Sequence, residues 1–211
     1  MTPTDYARAR RMLMRRDPVI ATLIRQHGAC GLESAQRADP FHALLHAIIA
    51  QQLSTKAART IESRFTALFG GNPTAAAVAG ASEGQLRAVG LSTQKIKYMR
   101  DLCARVVDGS LDLHSLGSLA DEEVIVALTA VKGIGRWTAE MFLMFRLHRP
   151  DVLPVGDLGI VKAVQKAYKL RTVPSPARLT KIGETWRPYR SVACWYLWAS
   201  LAAPVVKTER G

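Results

Sequence analysis

The stretch Leu128-Thr-Ala-Val-Lys-Gly-Ile-Gly-Arg-Trp-Thr-Ala-Glu-Met-Phe142 places a glycine turn between two segments whose apolar residues recur at three and four. This spacing predicts two helices joined by a tight hairpin. Gly133 and Gly135 permit positive φ and carry no side chain to hold a ligand away, while Ile134 between them can plug a core. The first amides of the second helix have no partner inside the helix, and together with its dipole they can take a phosphate. A bare Gly-x-Gly also serves as a plain helix-helix connection. What favours a phosphate clamp over Lys132, Gly133, Ile134, Gly135, Arg136 and Thr138 is the setting: an amphipathic helix before, Trp137, Phe142 and Phe145 after, and a basic chain around.

Outward from the hairpin the pattern stays helical. No sustained alternation appears, and no Asn-Gly or Asp-Gly turn joins two strand-like runs, so the fold class is all-α. Asp39-Pro40 reads as an N-cap followed by a first-turn proline, and Leu44, Leu45, Ile48 and Ile49 form one apolar face behind it. Further helices are predicted over residues 55–69, 93–107, 121–130, 136–148, 157–168, 176–185 and 189–202. Gly70-Gly71-Asn72-Pro73, Gly109-Ser110, Arg149-Pro150 and Val173-Pro174-Ser175-Pro176 break them. The Arg-rich start, residues 1–16, reads as a basic surface helix without a secretory core or cleavage site. The apolar run 192–206 is interrupted by Ser200 and Pro204 and is too short to span a bilayer, so it reads as a buried helix.

The chain of 211 residues carries 29 Lys and Arg against 17 Asp and Glu, a formal charge of +12. Such an excess points toward a polyanion, nucleic acid first, with an anionic membrane or plain solubility as alternatives. With 48% apolar and 22% charged residues, the composition is that of an ordinary globular chain. Cys30, Cys103 and Cys194 are odd in number and form no CxxC pair, which leaves neither a zinc site nor an iron-sulfur cluster its ligands. Three reduced, partly buried thiols fit a reducing compartment.

Five segments in order resemble the helix-hairpin-helix DNA glycosylase superfamily, and within it the 3-methyladenine glycosylase II branch. They are the hairpin itself, Asp39-Pro-Phe-His-Ala-Leu-Leu-His-Ala-Ile-Ile-Ala-Gln-Gln-Leu-Ser54, Gly90-Leu-Ser-Thr-Gln-Lys-Ile-Lys97, Leu153-Pro-Val-Gly-Asp-Leu-Gly-Ile160 and Trp186-Arg-Pro-Tyr-Arg-Ser191. The resemblance implies two helical lobes: residues 39–149 ending with the hairpin, and a second lobe of 1–38 plus 150–211, with the site in the cleft. It implies removal of alkylated bases such as 3-methyladenine or 7-methylguanine by hydrolysis of the glycosidic bond, with duplex DNA as partner, no membrane, and a monomer in the nucleoid or the nucleus.

The resemblance also assigns roles to residues. It makes Asp157 the essential carboxylate, although Asp157 stands three residues after Pro154 where many members place the aspartate two after. From its neighbours alone Asp157 reads equally as a helix N-cap, and Asp151 is the nearest competing acid. Trp137 stands where bifunctional relatives carry the lysine that forms a Schiff base, which implies base removal without strand cleavage; Lys132 is the nearest amine. Trp137 and Trp198, with Met141 and Tyr189, align with an aromatic pocket for an electron-poor base, and packing is the ordinary alternative for each. The wedge that fills the gap left by a flipped base falls on Gln52, Leu53 and Ser54. Lys95, Lys97, Arg100, Lys132, Arg136, Arg187 and Arg190 are candidate phosphate contacts. No cofactor is required, and a sodium or potassium ion at the carbonyls of Thr129, Val131 and Ile134 is implied by resemblance only. A non-catalytic hairpin DNA-binding protein, or a glycosylase for uracil, oxidised guanine or a mismatch, remains as an alternative.

Overall fold

In the computed structural model, which describes residues 1–34 and 39–202, the regular elements are helices, and no strand occurs among the described residues. The all-α expectation holds. Two compact units result, one built from both ends of the chain and the other from the stretch between.

The chain begins in the first unit with α1 (Pro3–Arg16) and α2 (Pro18–His27). Helix α1 is amphipathic, burying Tyr6, Ala9 and Leu13 while Arg8, Arg11 and Arg15 stay exposed. The middle unit then holds α3 (Pro40–Ala50), α4 (Thr55–Leu68), α5 (Ala75–Gly80), α6 (Glu83–Ala88), α7 (Thr93–Val107), α8 (Asp121–Thr129) and α9 (Arg136–Phe145). Helix α3 packs on α4, α7 and α9, and α8 packs on α9 across the hairpin. The chain returns to the first unit for α10 (Leu158–Ala167), α11 (Pro176–Gly183) and α12 (Arg190–Ala199), with α12 against α10, α2 and α1.

Side-chain caps set most of the starts. Asp17, Asp39, Ser54, Ser92, Asp157 and Ser175 each accept an amide from the turn that follows, and Pro18, Pro40 and Pro176 occupy first-turn positions where a missing N–H costs nothing. Asp17 does more than cap. It is buried, accepts the Val19 and Ile20 amides, and also accepts Trp186 Nε1 at 2.9 Å and the Tyr168 hydroxyl. That carboxylate ties the first two helices to the last part of the chain.

Several elements depart from expectation. Helices α2, α5 and α6 were not anticipated; α5 and α6 have six residues each, too few to display a period, while α2 opens on the same Asp-Pro signal as α3. The helix expected over 136–148 ends at Phe145, and the one expected over 189–202 spans only Arg190–Ala199. The tail of the apolar run, 203–206, and the expected lobe boundary at 38 lie outside the described residues.

Candidate active site

The hairpin is pinned from below by Val131 and Ile134, both buried, and leaves Lys132, Gly133, Gly135 and Arg136 exposed. Its two glycines are there for different reasons. Gly133 has φ +81, and a Cβ on it would lie 2.2 Å from the Tyr98 ring, so the fold itself demands glycine. Gly135 has φ −92, which any residue adopts, and a Cβ there would meet nothing within 4 Å. The fold does not need that glycine. What its missing side chain leaves is open space over the first amides of α9, which no side chain caps. Asp101 on α7 braces the turn by accepting the Lys132 amide at 3.0 Å.

Beside the hairpin, within the same unit, lies a cavity of about 660 Å³. Helix α9 contributes Trp137, Thr138, Met141, Phe142 and Phe145, and α3 contributes His46, Ala47 and Ala50, with Gln51 and Gln52 at its end. Trp137 is 52% exposed, too open for a core residue of its size. The turn after α3 is strained: Gln52 has φ +57, a left-handed conformation uncommon for a residue with a Cβ. Leu53 is exposed, and Ser54 is spent on capping α4 through the Ala57 amide at 3.3 Å. Gln51, which the sequence did not single out, donates from Nε2 to the Gly133 carbonyl at 2.8 Å.

Asp157 sits in the other unit, buried at the start of α10. Its two sequence readings turn out to be compatible. Oδ1 accepts the Ile160 amide at 2.7 Å, which is the N-cap bond, and also accepts the Trp198 indole N–H at 2.9 Å. Gly159 makes room for this, since a Cβ there would stand 2.9 Å from Asp157 Oδ1 and 3.1 Å from the Trp198 ring. Trp198 therefore orients the carboxylate whatever else its face contacts. Asp151, the competing acid, is engaged by Arg190 at 2.7 Å and Arg187 at 2.9 Å. Tyr189 is not brought to this place: it lies at the opposite end of α12 from Trp198, roughly 14 Å along the axis at 1.5 Å per residue, in a groove with Arg8, Arg11, Arg15 and Pro188.

The basic candidates divide. Lys97 and Arg100 are exposed. Lys95 points its ammonium at the Ile49 carbonyl, 2.6 Å away, and burial holds it below the ordinary lysine value, so it braces α3 instead of facing a phosphate. Arg136 is bound by both oxygens of Glu122 and by Glu140, while Lys132 lies 3.6 Å from Asp101. Arg187 and Arg190 are taken up by Asp151. At the hairpin carbonyls, Val131 accepts the Ile134 amide at 3.1 Å, which leaves that oxygen a second lone pair for an ion. The three cysteines are buried and form no disulfide among the described residues, and burial pushes the Cys30 and Cys103 thiols up to about 12.

The chain that carries these features has known counterparts. The family model described as HhH-GPD superfamily base excision DNA repair protein matches residues 45–188. The chain belongs to this superfamily. Among solved members, DNA-3-methyladenine glycosidase from Bacillus halodurans is 38% identical with a TM-score of 0.82, over 91% of this chain and 88% of that one. The 3-methyladenine DNA glycosylase of Schizosaccharomyces pombe, solved in complex with abasic DNA, is 32% identical with a TM-score of 0.81, over 95% and 100%. DNA-3-methyladenine glycosylase 1 of that yeast is 35% identical over 168 residues, 78% of this chain and 74% of its own.

Proposed function

We propose that this superfamily member is a monofunctional DNA glycosylase that removes alkylated bases in base excision repair. The observation that carries this reading is the Asp157 carboxylate, fixed on one oxygen by the Ile160 amide and the Trp198 indole. The names of the relatives given above supply the lesion class.

In this reading the labour divides between the units. The hairpin unit holds the backbone: phosphate oxygens accept from the first amides of α9, over the space left by Gly135. The wedge turn at Gln52 and Leu53 fills the stack once the damaged base has left it, and the base lies against Trp137 and Met141. An alkylated purine is electron-poor and often cationic, so an aromatic face attracts it while the lesion weakens its bond to the sugar. As that bond breaks its electron pair leaves with the base, and positive charge develops on the sugar. Asp157 stabilises that charge and then accepts the proton of the water that attacks the sugar carbon. With tryptophan at position 137 no amine is offered there for a Schiff base. The carbonyls of Thr129, Val131 and Ile134 would hold an alkali ion, which would stiffen the turn. The partner is duplex DNA, bound by a monomer.

A lesion panel tests this. Methylated duplex should yield free 3-methyladenine or 7-methylguanine without added metal, and borohydride should trap no covalent adduct. Release of uracil or oxidised guanine alone would replace the substrate class, and a trapped adduct would refute the monofunctional assignment.

A further inference from the structure

Among the described residues of the hairpin unit, one side-chain bond joins the strained α3–α4 turn to the hairpin: Gln51 Nε2 to the Gly133 carbonyl, 2.8 Å, across 82 positions of sequence. The bond joins strained backbone at one end to a residue that the fold requires to be glycine at the other. Gln52, the next residue, has φ +57, and Gly133 has φ +81 beneath the Tyr98 ring. Helix α7 underpins both ends from one face, because residues three apart on a helix are neighbours. Lys95 donates to the Ile49 carbonyl near the end of α3 at 2.6 Å, Tyr98 packs on Gly133, and Asp101 accepts the Lys132 amide at 3.0 Å. The turn and the hairpin thus share a rigid support, and the Gln51 amide closes the circuit between them.

We infer that Gln51 is a positioning residue that couples phosphate capture at the hairpin to insertion of the Gln52 turn into the base stack, resting on the reading above that the hairpin grips DNA and the turn is the wedge. A base leaves its stack only at a cost, and a wedge already held in its inserted shape adds no ordering cost of its own. Without the Gln51 amide, Gln52 relaxes toward ordinary backbone, and that ordering cost falls on the flipping step. The effect is therefore large where flipping is expensive and small where it is cheap. A mismatched lesion, already loosely stacked, is the cheap case.

The test uses Gln51→Met, which keeps length and shape but loses the donor, on duplexes carrying 7-methylguanine opposite cytosine or opposite a mismatched base. A 2-aminopurine beside the lesion reports insertion by fluorescence, independently of base release. Opposite cytosine the rise should slow about tenfold, the scale of one lost hydrogen bond, while the mismatched duplex changes by less than about twofold and the duplex Kd stays put. Equal slowing on both duplexes would mark a merely structural role, and unchanged rates on both would remove the coupling; either overturns the inference. A wild-type rise without free base would sink the glycosylase reading and leave the coupling standing, whereas no rise at all would overturn both.

Discussion

Helix α9 begins at Gly135 with no side chain on its first amides, whereas α10 begins at Asp157 with the carboxylate on the Ile160 amide and an indole N–H on the same oxygen. Both starts present amides that have no partner within the helix itself, at the positive end of a helix dipole. In the proposed function one start takes an anion that arrives with the DNA, whereas the other holds an anion of its own. That contrast separates binding from chemistry, and the glycines follow it. Gly135 leaves space that the fold itself does not use, while Gly159 clears space for Trp198 to reach Asp157.

The comparison can be broken most severely at Gly133. Gly133→Ala forces a Cβ into the Tyr98 ring at positive φ, so the protein should lose about 2–4 kcal/mol in urea unfolding, and DNA binding should fall with it. Next comes an exchange of character between the two starts. Gly135→Asp gives α9 the cap that α10 has, so stability should move by less than about 0.5 kcal/mol while duplex affinity drops at least about tenfold, because a carboxylate now sits where a phosphate would. Fluorescence anisotropy measures this, and unchanged affinity would show that α9 binds no phosphate. At the other start, Trp198→Phe removes one donor from Asp157 and should lower the single-turnover rate about tenfold with little change in duplex Kd. Gly159→Ala crowds the same pair and should cost less, about threefold, since the indole can shift by a few tenths of an ångström.

How much of this could be read beforehand follows from the range of the forces. Caps and apolar periods act within a turn, so Asp39-Pro40, the hairpin and the N-cap reading of Asp157 were all legible. Contacts set by packing were not. Nothing near Gly133 announces the Tyr98 ring, nothing near Gln51 announces Gly133, and the 41 positions between Trp198 and Asp157 hide a 2.9 Å bond. Charge misled in the same way. Lys95 looks like a phosphate contact in the chain, but the fold turns it toward the Ile49 carbonyl. Tyr189 shares α12 with Trp198 but stands at its far end, because a helix carries successive residues along an axis as well as around it.

The most direct measurement is single-turnover release of 7-methylguanine from methylated duplex by wild-type protein and by Asp157→Asn, with duplex Kd and thermal midpoint recorded for both. Asparagine still caps α10, so fold and binding should persist while the rate falls at least about a hundredfold for want of the negative charge. Asp157→Asn turning over at the wild-type rate would contradict the assignment of the carboxylate to the chemistry and leave it a helix cap.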